Sequence, residues 1–144
     1  MSEKSAAVDA WEALFRAQVT VMRDLNAEFP KGVLSLNEYD LLFNLSRQPQ
    51  RRARIRDLLN HLLLTQPSVS RLIDRLAAKG MVTKTPDPAD ARGTIVTLTP
   101  EGRAAFRTVA VAHAESIRTR VGSALDPDEM AQLAALCDKL RAGA

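Results

Sequence analysis

Residues 54–99 read RIRDLLNHLLLTQPSVSRLIDRLAAKGMVTKTPDPADARGTIVTLT, and the fold turns on this stretch. A short helical segment is followed by a turn, a second helix, and two short strands joined by a polar loop. That order is a helix-turn-helix with a wing. In the second helix Val69, Leu72, Ile73 and Leu76 recur at one-turn spacing and share a face. The opposite face carries Pro67, Arg71, Asp74 and Ala78, with Ser68 and Arg75 along one flank and Ser70 along the other. A helix so divided buries one side in a core and offers the other to a partner. Guanidinium and hydroxyl groups suit phosphates and the acceptor edge of guanine in a major groove. Taken alone, the pattern fits an ordinary amphipathic surface helix equally well, so the flanking sequence decides.

The charge is unevenly placed. Residues 47–107 hold 12 Lys/Arg against 5 Asp/Glu, a net +7, whereas the remainder of the chain carries −4. A cationic segment between acidic flanks suggests a docking surface for a polyanion. Composition otherwise favours helices: aromatics make up 4%, while Ala and Leu abound. The single cysteine, Cys137, excludes an intramolecular disulfide framework and fits a reducing compartment. No apolar run approaches the ~20 residues that span a bilayer, and the acidic N-terminus has no secretory core, so the expectation is a cytoplasmic protein without a membrane partner.

Upstream, a broad apolar stripe of Trp11, Leu14, Phe15, Met22, Leu25 and Phe29 predicts a helix over residues 6–29, stopped by Pro30, Lys31 and Gly32. Ser35 and Glu38 have the spacing of a capping box, and Leu36, Tyr39, Leu42 and Phe43 form the buried side of a helix ending near Ser46. A turn at Gln48, Pro49 and Gln50 leads into Arg51, Arg52, Arg54 and Arg56. Such a run is commonly a solvated surface, but at the start of a helix-turn-helix it also suits the sugar-phosphate backbone. The third helix is expected over residues 55–63, burying Ile55, Leu58, Leu59 and Leu62; Thr65 caps the fourth, Pro67 falls in its first turn and Gly80 ends it.

The period then falls to about 2, and residues 81–85 and 94–98 read as paired strands. Between them, residues 86–93 (PDPADARG) are too rich in Pro and Asp for either element. Arg92 is expected at the loop tip, braced by Asp90, where it suits an adjacent minor groove. Thr99, Pro100 and Glu101 open a long helix striped with Phe106, Val109, Ala110, His113, Ile117 and Val121. Asp126, Pro127 and Glu129 open the last, lined by Met130, Leu133, Leu136, Cys137 and Leu140. These helices and the first offer more apolar surface than a small winged helix can cover, which implies a second copy.

The segments SLNEYDLLFNL, RIRDLLNHLLLTQPSVSRLIDRLAAKGMV, DARG and VTLTPEG, spread over residues 35–102, closely resemble the MarR family of bacterial transcription regulators. The resemblance implies a mainly α fold with a small β-hairpin wing, in a homodimer that binds a pseudo-palindromic double-stranded DNA operator and usually represses transcription. It implies an N-terminal dimerisation helix in residues 1–34, a winged helix-turn-helix in 35–99 and dimerisation helices in 100–144. Carried over by position, Gln66, Pro67, Ser68, Ser70, Arg71 and Arg75 would lie at the major groove, and Asp90 and Arg92 on the wing. Arg54, Arg56 and Lys84 join the DNA-binding candidates, although Lys84 stands where many members carry arginine and loses its bidentate geometry. Trp11, Phe15, Phe106, Val109, His113, Ile117, Leu133, Leu136 and Leu140 are the dimerisation candidates. The family often senses aromatic acids between its two regions, but no motif here identifies such an effector.

Other chemistry finds little support. His61 and His113 lack acidic or thiol neighbours at metal-site spacing, so no metal or cofactor is expected. His61 reads as a surface residue and His113 as a core or interface residue, with a sensing role secondary. Cys137 among leucines reads as a buried, inert thiol, and Trp11 as a packed tryptophan before an effector contact. No Ser/His/Asp set, carboxylate pair or phosphate-cradling glycine loop is visible, so an enzyme is not expected. The competing reading is a winged helix used for protein interaction, against which the arginine-bearing face and Arg92 weigh.

Overall fold

In the computed structural model, residues 3–62 and 64–143 are described, the side chain of Lys4 apart. Among them the elements are α1 (Glu3–Glu28), α2 (Leu36–Ser46), β1 (Arg52–Arg54), α3 (Ile55–Leu59), α4 (Gln66–Ala78), β2 (Val82–Asp87), β3 (Asp90–Leu98), α5 (Pro100–Gly122) and α6 (Pro127–Ala142). They divide into two compact units, one of Pro30–Val111 and one of Met1–Phe29 with Ala112–Ala144.

In the first unit, α2 begins as its sequence dictates. The Ser35 amide donates to Glu38 Oε1 at 2.8 Å and the Glu38 amide to Ser35 Oγ at 3.1 Å, so two donors that a helix start leaves open are satisfied. The Glu38 carboxylate is buried and also meets Lys79 Nζ at 2.9 Å, which ties the start of α2 to the end of α4. Leu41, Leu42 and Leu45 of α2, Leu58 of α3 and Val69, Leu72, Ile73 and Leu76 of α4 are buried, together with Val82, Val96 and Leu98 of the sheet. Each such aliphatic side chain stabilises the fold by roughly 1.5–3 kcal/mol. Tyr39 stacks on Phe106 with ring centroids 5.1 Å apart, which holds the first turns of α5 to α2.

The wing departs from a plain hairpin. Its sheet has three antiparallel strands in the order β1-β3-β2, with Arg52 opposite Thr97 and Ala53 opposite Val96. Strand β1 is only three residues, Arg-Ala-Arg, too short to show a period of two, so its sequence carries no strand signal. The expected polar loop over residues 86–93 is largely strand instead: β2 runs through Asp87 and β3 starts at Asp90, leaving Pro88 and Ala89 as the turn. Pro86 is tolerated because β2 lies at the sheet edge and the register shifts between Pro86 and Asp87.

Helix α3 ends at Leu59, shorter than expected; Leu62 is half-buried beyond it, and Leu63, the expected terminus, lies outside the described residues. Gly80 has φ +76°, the left-handed cap its place after α4 predicts. Gly102 has a different reason. A Cβ there would lie 2.0 Å from the Met81 carbonyl oxygen, so only glycine lets α5 start against the β2 entrance. Thr99 completes that junction: its hydroxyl donates to the Gly80 carbonyl at 2.7 Å and accepts the Gly102 amide at 3.0 Å.

The second unit is built from α1, α6 and the later part of α5. Helix α1 starts at Glu3, three residues before the stripe predicts. Arg120 of α5 reaches Asp24 at 3.7 Å and pairs with Glu28 of α1. Phe29 meets His113 edge-on at 5.2 Å, and both are buried, as is Leu25. Helix α6 opens with the expected cap at Asp126, which Glu129 completes as a capping box, but buries no residue at all. Trp11, expected to be packed, is 60% exposed although it lies against Phe15, and Cys137, expected to be buried, is only half-covered.

Candidate nucleic-acid interface

Helix α4 is set out from its first residue. Thr65 caps it, accepting the Ser68 amide at 3.3 Å, and Pro67 sits in the first turn, where an amide proton has no partner to lose. The Thr65 hydroxyl also donates to Ser68 Oγ at 3.0 Å, and Arg71 Nη2 donates to the same oxygen at 3.3 Å. A relay of Thr65, Ser68 and Arg71 thus runs along the outward side of the first two turns. It holds the Arg71 guanidinium near the helix start, where the partial positive charge of the helix also favours an anion.

Gln66, Pro67, Arg71 and Arg75 are exposed, with Ser68 and Ser70 half-buried beside them. Among the described residues, no ion pair engages Arg56, Arg71, Arg75 or Arg92. Four cations therefore stand without an internal counter-charge. Three elements bring several of these groups together: a cleft of about 310 Å³ is lined by Arg54 and Arg56 at the start of α3, Gln66 and Ser70 of α4, and Asp90 and Arg92 of the wing.

Three of the expected residues also carry contacts within the fold. Arg54, expected at the sugar-phosphate backbone, has its Nε 2.6 Å from Oδ2 of Asp87, whose side chain is 2% exposed. A buried carboxylate needs a cation, so Arg54 is first a strut between the α3 start and the wing, although it also lines the cleft. Lys84 is paired with Asp74 of α4 and braces the outward face of that helix against β2. Asp90 does brace Arg92, but through the backbone: its Oδ1 accepts the Arg92 amide at 3.0 Å. Arg92 itself lies on β3, as its third residue, and not at a loop tip.

Sequence reasoning passed over Asp87. Its Oδ1 accepts the Ala89 amide at 2.9 Å, shaping the wing turn, while Oδ2 meets Arg54. An Asp two residues before an amide in a Pro-rich segment is the available signal for such a turn. Of the expected dimerisation residues, Val109 and His113 are already buried within the chain, and Phe106 is engaged with Tyr39 and Phe43. Trp11, Phe15, Ile117, Leu133, Leu136 and Leu140 remain exposed. Among the described residues no group of three His, Cys, Asp or Glu side chains is placed to hold a metal ion, and no helix is long and apolar enough to cross a membrane.

Comparison with known proteins converges on one family. The profile described as "MarR family" matches residues 34–93, which runs from the α2 start to the first residues of β3. The transcriptional regulator PecS of Dickeya dadantii is 29% identical over 128 residues, covering 88% of this chain and 76% of PecS. Sco3205, a MarR family transcriptional regulator from Streptomyces coelicolor whose structure was determined in complex with DNA, superposes with a TM-score of 0.81 at 25% identity, over 99% of this chain and 89% of its own. BpsR of Bordetella bronchiseptica, whose DNA binding is regulated by 6-hydroxynicotinic acid, superposes with a TM-score of 0.79 at 28% identity, over 92% of this chain and 98% of its own.

Proposed function

The chain belongs to the MarR family of transcriptional regulators, and from that premise we propose that it is a sequence-specific repressor, not an enzyme. In this reading it binds a pseudo-palindromic double-stranded DNA operator as a homodimer and is released by a small aromatic acid, with the cytoplasm as its compartment. The observation that carries the reading is Arg71: exposed, without an internal carboxylate, and held by Ser68 on the outward face of α4. Gln66, Ser68, Ser70 and Arg75 stand with it for the major groove, Arg92 for the minor groove, and Arg56 for the phosphate backbone. Arg54 and Lys84 act mainly by holding wing and helix in register.

Dimerisation is supported by what the helical unit leaves uncovered. Trp11, Leu136 and Leu140 are 60%, 64% and 58% exposed, with Phe15, Ile117 and Leu133 also open. Apolar surface of this extent is the mark of an interaction site, and a two-fold dimer presents two α4 helices to half-sites one helical turn, ~34–36 Å, apart. The aromatic-acid effector is supported by BpsR, a relative regulated in that way.

Selection of bound genomic fragments by the purified protein, followed by titration of the recovered sequence at several salt concentrations, tests the reading. One palindromic site bound by a dimer is expected, with affinity falling roughly 10³–10⁵-fold between 50 and 200 mM salt for about 6–10 phosphate contacts. No enriched sequence and a flat salt dependence would instead place the molecule among winged helices that bind protein.

A further inference from the structure

The side chains of Thr65, Ser68 and Arg71 form a hydrogen-bonded chain whose polarity decides which groups the start of α4 offers to a partner. Thr65 Oγ1 is the helix cap and accepts the Ser68 amide at 3.3 Å, so its proton is left to turn to Ser68 Oγ, 3.0 Å away. Arg71 Nη2 donates to the same Ser68 oxygen at 3.3 Å. A hydroxyl oxygen has two acceptor positions and one proton. Both acceptor positions of Ser68 are therefore taken, and its proton is the one group still to be placed. Ser68 is half-buried, so that proton has the exposed side of the helix open to it. Arg71 spends one N–H on Ser68 and keeps the others, enough for a bidentate contact. Asp74, the one carboxylate of α4, is paired with Lys84. At Ser68 and Arg71 the outward face of α4 thus presents donors only.

Donors read acceptors. In the major groove guanine offers N7 and O6, thymine O4 and adenine N7, whereas cytosine offers only its N4 amino group. A serine with a free lone pair can accept from that amino group; Ser68, with both engaged, cannot. Side chains on a helix lean toward its N-terminus, so Arg71 reaches back over Ser68 and the two contacts fall on neighbouring base pairs. We propose that Thr65 is a specificity-determining positioning residue: by fixing Ser68 as a donor, it makes α4 exclude cytosine at the base Ser68 faces, next to a guanine held by Arg71. Thr65 itself makes no base contact in this arrangement and acts through Ser68. The rule rests on the operator-binding reading and sharpens it, since it names a base that each half-site must lack and the residue that imposes the exclusion.

The test is selection of bound duplexes by the purified full chain, followed by competition binding of every single-base variant of the recovered half-site. Ser68→Ala and Arg71→Ala locate the bases their side chains face, because each should flatten the preference at its own position. At the Ser68 position the parent should bind cytosine roughly 3- to 10-fold more weakly than the best base, the scale of one hydrogen bond lost with its donor left unpaired. Thr65→Gly removes the hydroxyl but keeps a residue type that helix starts accept, so the fold and the preference for guanine at the Arg71 position should persist. It frees a lone pair of Ser68, and the penalty on cytosine should shrink to about 2-fold or less. Thr65→Ser keeps both cap and donor and should keep the penalty. A parent that accepts cytosine at that position overturns the proposal, as does a Thr65→Gly chain with the parent's base profile. So does a Thr65→Gly chain weakened equally at every position, because Thr65 would then be a helix cap and nothing more. Thr65→Ser behaving as Thr65→Gly has the same force, and so has a Ser68→Ala chain that flattens no position, which would make Ser68 a phosphate contact. An enriched operator with any of these results leaves the DNA-binding reading standing and removes the Thr65 rule alone, whereas no enriched sequence removes both.

Discussion

The two units are written in the same amphipathic code and end in different states. In Pro30–Val111, the apolar positions of α2, α4 and the sheet close on one another, and Leu41, Leu42, Leu45, Ile73 and Leu76 are fully covered. In the helical unit, Leu25 and Phe29 are covered, but Val8, Trp11, Phe15, Leu133, Leu136 and Leu140 are not, and α6 buries nothing. Periodicity states which residues share a face; it does not state what covers that face. A sheet with helices across it can supply its own cover, whereas two or three long helices at the chain ends leave a stripe over. The winged-helix unit should therefore owe its stability to itself, and the helical unit should owe part of its stability to a second chain.

Truncation of the core separates the two most sharply. Leu76→Ala removes a fully buried side chain and should lower stability by roughly 2–5 kcal/mol. Urea unfolding should show that loss equally at low and high protein concentration. Leu136→Ala, at 64% exposed within one chain, should by itself stay within about 0.5 kcal/mol. If a second copy covers it, the loss will be larger and will depend on protein concentration, and Leu136→Asp will halve the mass seen by light scattering at micromolar concentration. A Leu136→Asp chain that keeps the parent's mass and melting curve would remove α6 from the interface.

A second contrast lies inside the winged-helix unit, between arginines that hold and arginines that wait. Arg71→Ala should cost about 1–3 kcal/mol in operator affinity, with little effect on random DNA and none on the thermal midpoint. Equal loss on both DNAs would make Arg71 a phosphate contact. Arg54→Ala leaves the Asp87 carboxylate without its cation. Breaking a wholly buried pair costs about 3–5 kcal/mol; because Arg54 is itself 36% exposed, a smaller loss of roughly 1–2 kcal/mol is expected, visible as a lower melting point without DNA. Arg92→Ala should weaken DNA and leave stability and the dimer intact. If Arg54→Ala melts as the parent does but binds DNA poorly, its expected backbone contact outweighs its strut.

Much of this was legible beforehand because it is local. The capping box of Ser35 and Glu38, the Thr65 cap, the Gly80 stop and the Val69–Leu76 stripe depend on residues within a turn or two of each other, and each is where spacing put it. What escaped is long-range or carried by the backbone. Strand β1 exists because β3 offers it an edge, and its residues have no period to read. The extended wing hairpin comes from backbone pairing that overrides the turn propensity of Pro86 and Asp87. Asp87 was invisible as the partner of Arg54 because 33 positions separate them, and Lys79 as that of Glu38 because 41 do. The α4 face was readable for a simpler reason: an exposed charge with no obligation inside the fold needs no partner to be placed.

The smallest expected effect concerns pH, and it again divides the units, since both buried carboxylates, Glu38 and Asp87, belong to the winged-helix unit among the described residues. Burial pushes the Glu38 pKa up, but the Ser35 amide and Lys79 push it down further, so in the folded chain it lies below the ordinary value of 4.5. A carboxylate whose folded pKa is depressed stabilises the fold fully above its unfolded pKa, and that contribution is lost as pH falls through the folded pKa. Lys79→Met removes one of the groups that lower the pKa. It should cost roughly 0.2–1 kcal/mol at pH 6, the scale of an ion pair with one half-exposed partner, and the gap between variant and parent should close below about pH 4.5 as Glu38 takes up its proton. Amide exchange resolves where the loss falls: α2 and the C-terminal turn of α4 should lose protection on acidification before α1 and α6 do. A gap that stays constant down to pH 3, or that widens, would mean that Lys79 stabilises α4 through its aliphatic stem and that the Glu38 contact is incidental.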